Sequence, residues 1–290
     1  MIISASYKTD LPAWYGEWFM NRLRAGFCET LNPYNSALST VPLTRETVEG
    51  FVFWTRNVGP FLPHLPEVRE RGFPFLVHHG LMAYPRALEL TPVAPERVAR
   101  EVHLLAREYH PRAVVWRYDP LVCTSLTPLD WHVRNFARLA ALLAGATDEV
   151  VVSFAQLYQK TQRNLDRAAR EFGFTWDDPT EEVKRELVAV LAGIAQAHSM
   201  QLTVCAQSGY LVGGALEARC VDPFRLSDVA GYAIHAPQKP HRPGCGCYQA
   251  KDIGAYNTCP NGCVYCYAVA GCEGARQRYG RHDPTAARLG

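Results

Sequence analysis

Ile253-Gly254-Ala255-Tyr256-Asn257-Thr258-Cys259-Pro260-Asn261-Gly262-Cys263-Val264-Tyr265-Cys266-Tyr267-Ala268 is the stretch on which the reading of this chain turns. Ile253 to Tyr256 reads as the last strand. The loop after it carries three cysteines at Cys-x3-Cys-x2-Cys spacing. Pro260, Asn261 and Gly262 are turn formers, so the loop curls and points its thiols at a common centre. Such a loop also turns backbone N–H groups inward, which suits an anionic iron–sulfur cluster. These clusters are held by Cys thiolates, usually four. Three local thiols leave one metal position open to a non-protein ligand. A structural zinc site is the competing reading. Zinc takes four ligands, commonly from two Cys-x2-Cys-like pairs, and only Cys263 and Cys266 form such a pair, with Cys272 as an available fourth ligand.

The loop resembles the signature of the radical S-adenosylmethionine (SAM) superfamily, Cys-x3-Cys-x-aromatic-Cys, with Tyr265 as the aromatic. The resemblance implies that Cys259, Cys263 and Cys266 bind a [4Fe-4S] cluster and that SAM chelates its fourth iron. It implies reductive cleavage of SAM to a 5′-deoxyadenosyl radical, which abstracts hydrogen from a substrate. An external electron donor such as flavodoxin or ferredoxin, and a small-molecule substrate, are implied with it. In most members of the superfamily the cluster loop follows the first barrel strand, whereas here it comes last. A circularly permuted order is therefore expected, with the final strand beside the one at Ile2–Ser6. The exit of that strand would lie near SAM, so Ser6, Lys8, Thr9 and Asp10 join Tyr265 as cofactor-binding candidates.

Nearly the whole chain is similar to an uncharacterised bacterial family, a domain of unknown function with a C-terminal radical-SAM-like cysteine cluster. The likeness runs through Lys8-Thr9-Asp10-Leu11-Pro12 (where the family pattern has Arg for Lys8), Asn32-Pro33, Phe53-Trp54-Thr55-Arg56-Asn57, Arg117-Tyr118-Asp119-Pro120, Cys245-Gly246-Cys247 and Lys251 to Cys259. It implies a fold and a cofactor but no substrate.

Upstream, short apolar runs alternate with amphipathic stretches. Strands are expected at Ile2–Ser6, Phe51–Thr55, Phe73–Leu81, Ala113–Trp116, Glu149–Phe154 and Gln201–Cys205, with a short one at Ala218–Val221. Helices are expected after Asp10, over Pro95–Tyr109, Leu129–Ala144 and Leu157–Phe172, and from Thr180. Shorter ones fall at Leu43–Gly50 and Pro60–Arg71. Alternation of this kind predicts an α/β fold with a parallel sheet, a complete or partial TIM-like (β/α) barrel whose functional groups gather at the C-terminal strand ends. Residues 1–236 form its body. Residues 237–290, a cysteine-rich segment, complete the same barrel as one domain.

A second set, Cys205, Cys220, Cys245 and Cys247, could close an auxiliary iron–sulfur cluster or a zinc site. Two of them could equally be small buried hydrophobes. Arg56, Arg117 and Asp119 follow strands directly and are candidates for holding carboxylate or ribose groups of a cofactor. An internal Arg–Asp brace is the alternative. Ser153 and Gln156 could complete the ring, and Tyr256 and Tyr267 could stack on adenine or fill the barrel. Lys160 and Arg163 fit a solvated helix face. Gly213-Gly214 lacks the Glu of the superfamily's amino-binding segment.

A formal net charge of +2 argues against a polyanion-coating protein, although nucleic-acid repair by the same radical chemistry is not excluded. Met1 to Ser6 lacks a basic leader, and no apolar run spans a bilayer. Ten cysteines in such a chain fit a reducing cytoplasm, where metal or redox chemistry outranks disulfides. The functional expectation is a radical SAM enzyme, set against a non-catalytic zinc- or cluster-binding module.

Overall fold

The computed structural model describes residues 1–289. Its elements are β1 (Ile2–Ala5), α1 (Leu11–Trp14), α2 (Gly16–Ala25), β2 (Phe27–Leu31), β3 (Leu38–Pro42), β4 (Gly50–Thr55), α3 (Leu65–Glu70), β5 (Phe75–Gly80), α4 (Pro95–Glu108) and β6 (Val114–Leu121). There follow α5 (Leu129–Leu143), β7 (Glu149–Phe154), α6 (Gln159–Phe172), α7 (Glu181–Ala197), β8 (Gln201–Val204), β9 (Leu216–Glu217), α8 (Pro223–Ala230), β10 (Ala250–Asp252) and α9 (Cys272–Gly280). Eight strands form one sheet in the order β10-β1-β4-β5-β6-β7-β8-β9, and each neighbouring pair is parallel. β2 and β3 form a separate antiparallel hairpin around the Asn32–Asn35 turn. No helix is long and apolar enough to cross a membrane, among the described residues.

The sheet bears out the α/β expectation, and the last strand does lie beside the first: Ile2 pairs with Ala250, and Ser4 with Asp252. A closed barrel is not formed. β9 and β10 are the two edges and do not pair with each other among the described residues.

Side chains alternate across a strand, and a parallel sheet is buried on both sides. Ile3, Phe51, Phe53, Phe75, Val77, Trp116, Val150, Val152 and Leu202 face α1 to α7 in the larger core. Phe19 of α2 meets Phe51 and Phe53 edge-on at 5.1 and 5.2 Å, contacts worth about 1 kcal/mol each beyond the area they bury. The opposite face is smaller. Ile2, Val52, Leu76, Val115 and Val151 pack there against Leu226 of α8 and the four cysteines of the second set. Arg225 fixes α8 under the N-terminal strand ends. It donates to the carbonyls of Arg112 and Val114 and pairs with Asp148 and Glu149.

Several boundaries differ from expectation. β10 is Ala250–Asp252 and not Ile253–Tyr256, because the backbone leaves the ladder after Ile253 N–H meets the Ser4 carbonyl at 3.1 Å. β6 runs on to Leu121, so Arg117 and Asp119 lie within the strand. The short late strand is Leu216–Glu217, with Cys220 beyond it. Residues 44–47 form a turn, not a helix, and Gly50 already opens β4. Tyr15 divides the first helix in two, and α8 and α9 add helices that apolar periodicity did not reveal.

Candidate functional site

The site is built where β1, β4 and β10 end. Asp10 caps α1 by accepting from Ala13 N at 3.0 Å. Its other oxygen accepts from Arg56 N and from Asn261 Nδ2, each at 2.9 Å. One buried carboxylate thus ties the exit of β1 to the exit of β4 and to the cysteine loop. Burial raises its pKa against those hydrogen bonds. Asp252, at the tip of β10, accepts from Ser4 Oγ (2.9 Å), Ser6 Oγ (2.8 Å), Tyr7 N (3.1 Å) and Gly254 N (3.0 Å). Lys8 Nζ stands 3.4 Å from it and 5.4 Å from the Tyr256 ring centre. Thr9 is buried, and its hydroxyl has no partner among the described residues.

Residues 254–268 form a loop pinned on all sides. Gly254 is required by close approach, since a Cβ there would lie 2.1 Å from Ser6 Oγ. Gly262 has φ +71, the left-handed region open to glycine. Tyr15 Oη donates to the Thr258 carbonyl at 2.6 Å, Trp14 Nε1 to Asn261 Oδ1 at 2.8 Å, and Thr91 Oγ1 to the Asn261 carbonyl at 2.9 Å. Val264 N–H meets the Leu88 carbonyl at 3.1 Å.

Two thiols of the loop have a donor within hydrogen-bond reach of sulfur. Cys266 receives Ala268 N–H at 3.4 Å, while the backbone N–H groups of Asn261 and Val269 act against burial to lower the Cys259 and Cys266 pKa values. Cys263 receives Arg56 Nη1 at 3.2 Å. The other Nη of Arg56 is paired with Glu89, which is wholly buried and also accepts from Tyr265 Oη. Glu89 and the sulfur keep the Arg56 charge despite burial. Burial raises all three thiol pKa values, Cys263 to about 11. The thiols are therefore neutral as they stand, and the donors would suit them as thiolates if a metal displaced their protons. Three sulfurs and their N–H donors fit an iron–sulfur cluster.

The second thiol set also comes together. Cys205 and Cys220 lie 3.8 Å apart at sulfur. Arg117 Nη1 is 3.0 Å from Cys220 Sγ, and Arg242 Nη2 is 3.3 Å from Cys205 Sγ. Arg117 also pairs with Asp119, which accepts from Ser153. Between the two thiol sets runs a polar row. Trp54 donates to Ser4 Oγ at 3.1 Å and stacks on His78 at 4.5 Å, while Arg117 lies 5.1 Å from the Trp54 ring centre. His78 Nε2 reaches the Cys220 carbonyl at 2.7 Å.

The sequence candidates therefore sort by position. Cys259, Cys263, Cys266, Asp10, Arg56 and Tyr265 form one neighbourhood. Ser6, Lys8 and Thr9 border it through Asp252 and Gly254. Arg117 and Asp119 form an internal pair and belong with Cys205, Cys220, Cys245 and Cys247. Asp10 and Tyr265 are committed to protein partners: the Tyr265 hydroxyl goes to Glu89 and its ring packs on Tyr84 at 5.9 Å. Lys160, read as solvated, instead reaches the Tyr267 carbonyl at 3.2 Å. Gly213 packs on Ala189 of α7, away from the loop. Glu89, Asp252, Trp54, His78 and Arg242 were not singled out from sequence. For two of them a signal existed: Asp252 precedes the cysteine loop at an expected strand boundary, and Glu89 is an acid flanked by leucines.

The family described as Domain of unknown function (DUF1848) matches residues 2–268, and the chain belongs to it. No curated protein matches the chain.

Proposed function

We propose that this DUF1848 chain is a radical SAM enzyme in which Cys259, Cys263 and Cys266 hold a [4Fe-4S] cluster that takes SAM as its remaining ligand. When bound, the reduced cluster supplies a 5′-deoxyadenosyl radical for hydrogen abstraction from a small molecule. The observation that carries the reading is the donor pattern: three thiols on one loop, with Arg56 Nη1 at the Cys263 sulfur, Ala268 N–H at the Cys266 sulfur and, among the described residues, no fourth cysteine bonded to them. Cys272, the candidate fourth zinc ligand, instead donates to the Pro260 carbonyl at 3.4 Å.

The chain's own residues do the positioning. Ala268 and Arg56 donate to the sulfurs, a lever that sets cluster potential. Asp10, Trp14 and Thr91 hold Asn261 and with it the loop. Thr9 brings a buried hydroxyl, unpartnered among the described residues, to the β1 exit, and we assign it with Lys8 to SAM. In this reading the open ladder is a partial, permuted barrel in which β10 takes the place of the first strand and β1 that of the second. Its electron comes from an external donor such as flavodoxin or ferredoxin, in a reducing cytoplasm.

Anaerobic reconstitution with iron and sulfide tests it. About four irons per chain and 5′-deoxyadenosine release under reduction are expected, both lost in Cys263→Ala. Iron that fails to bind, or that persists undiminished in Cys263→Ala, would overturn the reading.

A further inference from the structure

The geometry points to a second metal site: Cys205, Cys220, Cys245 and Cys247 bind one tetrahedral zinc ion as a structural clamp. The four thiols come from three separated places: the end of β8, the segment after β9, and the loop that leads into β10. Nothing in local sequence requires them to meet. Yet Cys205 and Cys220 touch at sulfur, and all four are buried in the one small core under the sheet.

Spacing favours two thiolates sharing one metal ion over a four-iron cube. A tetrahedral zinc with Zn–S bonds of about 2.3 Å sets its sulfurs about 3.8 Å apart. Cys205 and Cys220 already stand at 3.8 Å. In a four-iron cube each thiolate binds a different corner, which forces the sulfurs farther apart. Cys259, Cys263 and Cys266 make no thiol–thiol hydrogen bond with one another among the described residues, unlike Cys205 and Cys220.

Charge agrees. Metallation releases four thiol protons to solvent and leaves a tetrathiolate site with net charge −2. Arg117 and Arg242 already point at two of the sulfurs, and the Val221 N–H at a third, Cys247. As the side chains stand, no three are closed around a single ion among the described residues, so binding requires Cys245 and Cys247 to turn in toward the Cys205–Cys220 contact. The site would fasten the 237–248 loop to the sheet just before β10, the strand that delivers the cysteine loop.

The inference is independent of the SAM reading and is tested on the full chain by metal analysis without reconstitution. About one zinc per chain is expected in the wild type and in a Cys259→Ala/Cys263→Ala/Cys266→Ala variant, and at least a fivefold loss in Cys245→Ser/Cys247→Ser. Cobalt added to the wild-type chain should give the absorption of a tetrahedral tetrathiolate site, and Cys245→His should keep the metal with a shifted spectrum. Those two measurements hold even where the double variant fails to fold. Iron in place of zinc in the triple variant, zinc unaffected by Cys245→Ser/Cys247→Ser in a folded chain, or an octahedral cobalt spectrum would overturn the assignment.

Discussion

Arg56 Nη1 lies 3.2 Å from the sulfur of Cys263, while the same guanidinium is paired with the wholly buried Glu89. A cation is thus held beside a cysteine of the loop by an acid that water does not reach. Removing one partner of such a pair strands the other charge in low dielectric, which costs on the order of 3–5 kcal/mol, whereas removing both costs far less. Arg56→Met and Glu89→Leu should each lower the urea midpoint of the metal-free chain sharply, and the double variant should recover most of the loss. Additive losses in the double-mutant cycle would show that the pair is not coupled.

Gly254 offers a steric test of the loop's docking. A Cβ there would sit 2.1 Å from Ser6 Oγ and 2.6 Å from Ser6 Cβ. Gly254→Ala must therefore push the cysteine loop away from the β1 exit, at about 1–3 kcal/mol. Reconstituted iron should fall with it. Gly271→Ala is the control, since its Cβ would meet nothing within 4 Å. Equal iron content in the two variants would mean that loop docking does not govern cluster binding.

The packing of α5 on the sheet gives a pH dependence through His132. Its Nδ1 accepts from Tyr118 Oη at 3.0 Å, and its Nε2–H donates to the Val122 carbonyl at 3.1 Å, so the buried ring is fully bonded as the neutral form. Burial pulls its pKa down to about 4, against about 6.5 in the unfolded chain. Between those values the unfolded state binds the proton and the folded state does not. Stability from this group is complete above about pH 6.5 and is lost as pH falls toward 4, by up to about 3 kcal/mol. Denaturant midpoints measured across that window should flatten in His132→Asn, even though the variant starts lower. An unchanged slope would assign the acid sensitivity to other groups, His79 first among them, which burial and Arg56 also pull down to about 4.

How much of this was legible depends on where the signal lives. The central strands carry apolar runs such as Phe51-Val52-Phe53 and Val150-Val151-Val152, and burial on both faces makes those runs visible. β10 is Ala250-Lys251-Asp252, and its place rests on backbone pairing with β1, which leaves no apolar mark. α8 did advertise itself through Asp222-Pro223, a cap followed by a first-turn proline, but a short helix has little periodicity to confirm it. The cysteine loop was readable because its three cysteines are local. The Arg56–Glu89 pair spans 33 residues and Asp10–Asn261 spans 251, so no spacing rule reaches them. The meeting of Cys205, Cys220, Cys245 and Cys247 is likewise a product of topology.

Asp252 is where topology and site meet, and it supports the last prediction. Its carboxylate gathers Ser4, Ser6, Tyr7 N–H, Gly254 N–H and Lys8, all at the seam where the end of the chain pairs with its beginning. An amide of the same shape accepts on one side only. Asp252→Asn would set its NH2 against donors on the other, leaving buried donors unmet at about 1–3 kcal/mol each. The seam, not the whole sheet, should loosen. Hydrogen exchange should therefore speed up across 2–8 and 250–268, while amides of β6 and β7 keep their protection. Uniform acceleration would indicate global destabilisation, and no change would mean that backbone pairing alone holds β10 to β1. A selective effect would place control of the cysteine loop in one side chain at the strand end, seven residues before Cys259.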